Sequence, residues 1–211
     1  RKRVLNLSKN KEMTPIVITQ RGSERIGPVT ERLNGYGVQE FKFFYGFNGA
    51  KSGLKATIPY THDDPNGSEY IGQKHIGCTM SHIMLWSALE LSDENDHWLV
   101  LEDDVIFRDG WKESINLALE EAPKDWDMIF AGSCCTQGRV GEKVGHALYR
   151  CHPLCTHAYL VRRKALKALL ETVVEISAPI DLLIFFKSRH LLNSYSILPR
   201  VADQVDTGMP D

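Results

Sequence analysis

The chain has 211 residues, 43% of them hydrophobic and 25% charged, with a formal net charge of −2 and a pI near 6.5. That length suits one domain with a substantial core, and the near-balanced charge gives no reason to expect nucleic acid or an acidic membrane surface as partner. No apolar run approaches the ~18–20 residues that span a bilayer, and no apolar stretch of signal-peptide type follows the basic opening RKRVLNLSKNK.

Residues 1–13 read as a basic N-terminal segment and 14–211 as a single domain, with the ending DTGMPD suggesting a piece of a longer chain. TPIVITQ (14–20) is a short β-branched run and predicts a strand. RGSERIGPVTERLNGYG then predicts a helix ending at Gly35 or Gly37, and VQEFKFFYGF (38–47) a second strand. Residues 48–72, rich in Gly, Asn, Asp and Pro, read as a long irregular segment, a kind that in compact domains is often functional. IGCTMSHIMLWSALEL (76–91) shows helical spacing at Met80, Ile83, Met84, Leu85, Ala88 and Leu91. HWLVL (97–101) predicts a buried strand, 110–121 an amphipathic helix and WDMIFAG (126–132) another strand. Residues 133–155 are Gly- and Cys-rich with an expected hairpin. HAYLV (157–161) predicts a strand, 162–175 and 179–189 helices, and NSYSIL (193–198) a last strand. Strands alternating with helices argue for an α/β fold with a mainly parallel central sheet.

The five cysteines are odd in number, and Cys134 and Cys135 are adjacent. This fits a reducing, cytoplasmic setting better than a disulfide framework, with a membrane-peripheral position or the ER lumen as open alternatives. Cys151-His152-Pro153-Leu154-Cys155-Thr156-His157 superficially offers zinc ligands. Structural zinc sites usually repeat their ligand pairs across a loop, so packing thiols and a polar turn are the expectation here.

WLVLEDDVIF (98–107) sets three carboxylates, Glu102, Asp103 and Asp104, where an apolar strand ends. Burying uncompensated charge is costly, and ligands of open α/β sheets gather beyond the carboxyl ends of the strands. On the residues alone three readings stay open: a solvated strand end, a phosphoacceptor pocket, or a site for Mg²⁺ or Mn²⁺ shared with substrate phosphates. Phosphoacceptor pockets carry their acidic pair on the first strand, which weakens the second. On an extended chain Glu102 and Asp104 share one face while Asp103 takes the other. There is no GxxxxGK[ST], no GxGxxG after the first strand and no GxSxG, which argues against P-loop, dinucleotide-binding and α/β-hydrolase chemistry.

GCTMSHIMLW (77–86) followed by LVLEDDVIF (99–107) resembles glycosyltransferase family 25, which has a GC-x-x-SH-x-x-x-W helix ahead of an L-x-LEDDV strand. Residues 16–49 resemble that family's opening strand, R-x-S-x-ER turn, helix and FF…(D/N)G strand. DWDMIFAG, HAYLVRRKALKALLE and PIDLLI resemble later pieces in order, so the likeness covers most of residues 16–185. Two departures stand out: Gln20 occupies a position where the family has an aliphatic residue, and PRVADQVD (199–206) echoes its C-terminal segment only faintly.

The resemblance implies a GT-A fold, with a Rossmann-like central sheet flanked by helices. It implies a hexosyltransferase that moves a hexose from a nucleotide-sugar donor, expected to be UDP-linked, to a hydroxyl of a glycan or glycoprotein, with inversion. It implies Mn²⁺ or Mg²⁺ on an acid-x-acid, DxD-like motif, with Asp104 as main ligand and Glu102 as a ligand directly or through water. Asp103 then bonds a sugar or ribose hydroxyl, or caps a local turn. Ser81 and His82 take a donor-site role, although a histidine among Met, Ile and Leu is more often a hydrogen-bonded core group. Thr19, Arg21 and Arg25 meet the nucleotide at the first strand's end, where arginine suits phosphate bidentately. Asp181, an acid in the apolar stretch API-Asp-LLIF, is the candidate base for the acceptor hydroxyl, its pKa raised by burial; a helix cap is the alternative. Trp86 and Trp98 read as core, and Trp111 and the 48–72 segment as flanks of the acceptor. Rival readings are a metal-dependent phosphohydrolase or glycosidase that uses the same acids, and a non-catalytic nucleotide-sugar-binding module.

Overall fold

The computed structural model describes residues 13–52, 56–60, 69–71, 73–92, 95–134, 140–174 and 176–205; nearly all of the basic segment expected over 1–13 lies outside them. The first strand, β1 (Ile16–Thr19), is four β-branched residues, all buried, the residue type that fits a pleated, packed surface. It is followed by α1 (Ile26–Gly35) and β2 (Lys42–Tyr45). The second strand is shorter than the expected 38–47 because the Val38 amide still bonds back to Leu33 O at the end of α1. A 3₁₀ turn (Gly49–Lys51) and an antiparallel pair, β3 (Ala56–Tyr60) and β4 (Glu69–Ile71), occupy part of the segment expected to be irregular.

Then come α2 (Gln73–Glu90), β5 (His97–Glu102), β6 (Val105–Phe107), α3 (Trp111–Glu121) and β7 (Met128–Cys134). The chain continues through β8 (Val140–Lys143), β9 (Leu148–Cys151), β10 (Leu154–Arg162) and α4 (Arg163–Thr172). It closes with α5 (Ile180–Leu183), a π turn (Ile184–Ser188), β11 (Ser194–Ile197) and β12 (Ala202–Gln204).

Eight strands form one sheet in the order β2-β1-β5-β10-β7-β11-β9-β8. The α/β class is as expected, with a mixed sheet: β1 is parallel to β2 and β5 and β11 to β7, while β10 runs antiparallel to both β5 and β7. No helix lies between β7 and β10 among the described residues, and a parallel return needs a long, usually helical crossover. The chain therefore comes back through the β8–β9 hairpin and runs antiparallel.

Alternation along β1 and β5 divides the core. Ile16, Ile18, Trp98 and Val100 face α2, α4 and α5, packing with Leu85, Trp86, Leu166 and Ile180. Val17, Leu99 and Leu101 face α1 and α3, packing with Val29, Leu33 and Ile115. Trp86 and Trp98 are core residues as expected. Trp111 is core too: it is buried and stacks on Phe107 with ring centroids 3.9 Å apart, which removes it from the acceptor surface.

Cys151 and Cys155 are both disulfide-bonded, which corrects the expectation of packing thiols and excludes them as thiolate ligands of zinc. Among the described residues Cys78 is the free cysteine. No helix of the described residues is long and apolar enough to cross a membrane.

A candidate active site at the carboxyl ends of β1 and β5

The side-chain alternation of β5 carries through its last residue. Glu102 follows Trp98 and Val100 in register and so turns toward α2, where His82 Nε2 lies 3.2 Å from its Oε1. Thr156 of β10 donates to the same oxygen at 2.8 Å. Burial pushes the Glu102 carboxyl up, and His82, by its hydrogen bond and its charge, together with the Thr156 hydrogen bond and the charge of His157, more than reverses this, holding it below the usual range.

The next two residues form a turn, so Asp103 and Asp104 leave the extended geometry from which a shared face for Glu102 and Asp104 was argued. Asp103 turns to the α1 side. Its Oδ2 accepts from Thr19 Oγ1 at 2.7 Å, at the end of the neighbouring strand β1. Arg25, just before α1, donates from Nη1 to both Asp103 Oδ1 at 3.0 Å and Asp104 Oδ2 at 3.1 Å. Gln204 of β12 holds the other Asp104 oxygen at 3.3 Å. Glu102 and Asp104 remain electrostatic neighbours: burial first, then the Glu102 charge, raises the Asp104 carboxyl above its ordinary value.

A residue that the motif reading missed grips this turn. Arg32 of α1 donates from Nη2 to Asp103 O at 2.7 Å and from Nε to Val105 O at 3.2 Å. The signal for it was one of spacing alone: it stands seven residues, two helical turns, beyond Arg25 and shares its face.

Behind Glu102 a buried chain of hydrogen bonds runs into the core. Trp86 Nε1 donates to the Tyr159 hydroxyl at 2.9 Å, and that hydroxyl lies 2.9 Å from His82 Nδ1. The indole can only donate, so the arrangement satisfying every group has Tyr159 O–H donating to Nδ1 and His82 Nε2–H donating to Glu102; the tautomer is assigned from this network. His82 is fully buried, and it acts on the site through Glu102.

Ser81 is also buried, and its hydroxyl is used twice by the protein's own backbone. It donates to Gly77 O at 2.6 Å and accepts from Phe47 N at 2.9 Å, tying the exit of β2 to α2. The motif glycines serve the same junction. A Cβ on Gly46 would overlap the Ser81 side chain, and one on Gly49 would come within 2.8 Å of Gly77 N. Arg21 stacks over Tyr45, 4.9 Å from the ring centroid. Gln20, the departure from the family pattern, accepts from Asn48 Nδ2 at 2.9 Å and so also anchors this loop.

Asp181 lies in the first turn of α5, half-buried rather than enclosed. Its Oδ1 accepts from Leu182 N at 2.9 Å and its Oδ2 from Cys155 N at 3.1 Å, with Cys155 in the left-handed region at φ 74. Cys78 ties it to the rest of the site: burial, and then the charges of Glu102, Asp181 and Asp104, all push that thiol up. Cys78, His82 and Glu102 bring a sulfur, a ring nitrogen and a carboxylate oxygen within 4.8 Å of one another. Both His82 nitrogens are already hydrogen-bonded, so this trio reads as packing around Glu102. His157 of β10 also borders the acids; it is buried, with Nε2 3.3 Å from Ala202 O and Nδ1 without a partner among the described residues. A cavity of about 720 Å³ lined by Ile16, Phe44, Leu85 and Trp98 opens at the opposite, amino end of β1 and β5, and takes no part in this cluster.

Comparison with known proteins points the same way as the motifs. The model of glycosyltransferase family 25 (LPS biosynthesis protein) matches residues 16–139. A protein of Acanthamoeba polyphaga mimivirus named as a glycosyltransferase is 23% identical over 118 residues, covering 56% of this chain and 36% of that protein. Procollagen galactosyltransferase 2 of Mus musculus is 32% identical over 83 residues, covering 38% of this chain and 13% of that protein. The chain thus spans about a third or less of the length of these relatives. Among solved structures, a glycosyltransferase involved in the glycosylation of the major capsid of PBCV-1 aligns with TM-score 0.39 and 14% identity, over 77% of this chain and 68% of that one.

Proposed function

The chain belongs to glycosyltransferase family 25, and from that premise we propose that it transfers a hexose from a UDP-linked donor to a hydroxyl of a glycan or glycoprotein acceptor, with inversion. The observation that carries this reading is the meeting of Asp103 and Asp104 with Thr19 and Arg25, next to Glu102 at the end of β5.

The donor set suits a hard divalent cation. Both hydrogen bonds that Glu102 accepts from described residues fall on Oε1, which leaves Oε2 for a metal. Asp104 carries an electrostatic cost from burial and from Glu102 that a cation relieves. Glu102 and Asp104 would hold Mn²⁺ or Mg²⁺. When bound, that ion neutralises charge developing on the departing diphosphate.

The chain's own groups do the rest. Arg21 and Arg25 bind phosphate oxygens, and Asp103, steadied by Thr19, accepts from a ribose or sugar hydroxyl. His82 and Ser81 act behind the donor, one orienting Glu102 and the other holding the β2 exit. Asp181 takes the proton of the acceptor hydroxyl; two backbone amides already fix its carboxylate. The disulfide-bonded Cys151 and Cys155 favour an oxidising compartment over the cytoplasm.

The test is calorimetric titration of UDP-, GDP- and CMP-sugars with and without Mn²⁺, repeated on Asp104→Ala. Metal-dependent binding of one nucleotide that the variant loses supports the reading. Binding indifferent to both metal and mutation, or none at all, sinks it. Undiminished turnover in Asp181→Asn removes the base from Asp181.

A further inference from the structure

We propose that Arg25 is an exchangeable counter-ion: it pairs with Asp103 and Asp104 until a divalent cation arrives, and then turns to the donor's diphosphate. This rests on the cation reading above. One nitrogen, Nη1, reaches carboxylate oxygens of both residues, at 3.0 and 3.1 Å. A divalent ion on Asp104 needs the same oxygen lone pairs and repels the guanidinium, so the two cations compete for one place.

The exposures decide which partner moves. The Arg25 side chain is 60% exposed, against 14% for Asp103 and 19% for Asp104. Asp103 is further pinned by Thr19, and the turn that carries both acids is clamped by Arg32. An exposed ion pair is worth little, so a long arginine leaves at small cost while the acids stay. Once displaced, its fork of donors remains beside the site and fits phosphate oxygens. Arg21 is placed differently, stacked on Tyr45 and off the acids.

Arg25 therefore opposes the cation when it binds alone and assists it when a diphosphate is present. That is a positive coupling between metal and nucleotide, and it is reciprocal.

The experiment titrates Mn²⁺ by electron paramagnetic resonance, with and without UDP, on the wild type, Arg25→Ala, Arg25→Gln and Arg108→Ala. Arg108, paired with Asp203 and exposed, controls for the general loss of one positive charge near the site. Both Arg25 variants are expected to bind Mn²⁺ alone about two- to fivefold tighter, the worth of an exposed ion pair. They are expected to bind UDP at saturating Mn²⁺ about tenfold more weakly, through the loss of charged hydrogen bonds. Unchanged or weaker Mn²⁺ binding in both variants, or equal tightening in Arg108→Ala, overturns the proposal. Unchanged UDP affinity overturns the transfer to the diphosphate. Absence of Mn²⁺ binding in every form removes the cation reading itself and the inference with it, a result distinct from equal affinities.

Discussion

His82 Nε2 lies 3.2 Å from Glu102 Oε1, and the ring's other nitrogen lies 2.9 Å from the Tyr159 hydroxyl. The pairing joins a helix residue and a strand residue twenty positions apart, and it gives the SH motif and the LEDD motif one physical purpose. Tyr159 is the hub, since Trp86 also donates to it. Tyr159→Phe keeps the ring and leaves the Trp86 donor and His82 Nδ1 unpaired in the core. Such buried orphans cost about 1–3 kcal/mol. Chemical denaturation should show that loss, and the donor KM should rise as Glu102 loses its support. A variant with unchanged stability would show that the chain is not the one drawn.

Much of this was legible in sequence. β1 and β5 were readable because short apolar runs, β-branched throughout in β1, have few other uses, and Glu102 to Asp104 stood out because charge at a strand end needs a reason. The antiparallel course of β10 was not legible: it depends on what connects it to β7, and apolar alternation carries no strand direction. Arg32 escaped because an arginine on an amphipathic helix looks like any solvated residue until the turn it grips is known. Ser81 read as a ligand-contacting group from its motif, whereas its hydroxyl is occupied by Phe47 N and Gly77 O. The disulfide state of Cys151 and Cys155 depends on spatial pairing, which counting cysteines does not reveal.

Glu102 and Asp104 should have opposite effects on stability. The folded Asp104 carboxyl titrates above its ordinary 3.8. Its stabilising contribution is therefore complete below the unfolded value and lost as pH rises through the raised folded value. At neutral pH the ionised group is a net cost, and Asp104→Asn should raise Tm by about 1–3 °C. The gain should vanish below about pH 4, where the wild-type carboxyl is neutral in both states. Glu102 is held below its ordinary 4.5, so its contribution is present above that value and lost as pH falls through the lowered one. Glu102→Gln should accordingly lower Tm at neutral pH. Thermal melts of both variants from pH 3 to 8 check the signs.

The Gly46–Ser81 contact predicts a packing defect with a functional cost. A Cβ at Gly46 would overlap the Ser81 side chain in a place where α2 and the β2 exit touch. Gly46→Ala should cost about 1–3 kcal/mol by overpacking. Because Arg21 stacks on Tyr45 next door, nucleotide affinity should fall with it. Equilibrium unfolding and UDP titration on the same sample measure both. Full stability in the variant would mean that the two elements do not approach this closely.

Arg32 separates positioning from fold support. Its two donors hold the carbonyls of Asp103 and Val105, which fixes the turn bearing Asp103 and Asp104 without touching either carboxylate. A lysine keeps the charge and the stem but cannot present two donors at fixed spacing. Arg32→Lys should therefore leave Tm nearly unchanged while weakening Mn²⁺-dependent UDP binding about tenfold, the usual scale for a residue that orients ligands from behind. Arg32→Ala should do the same and also lower Tm, because it removes both hydrogen bonds from α1 to the turn. If Arg32→Lys binds Mn²⁺ and UDP like the wild type, the turn is held by Thr19, Gln204 and Arg25 alone, and Arg32 is only a surface contact.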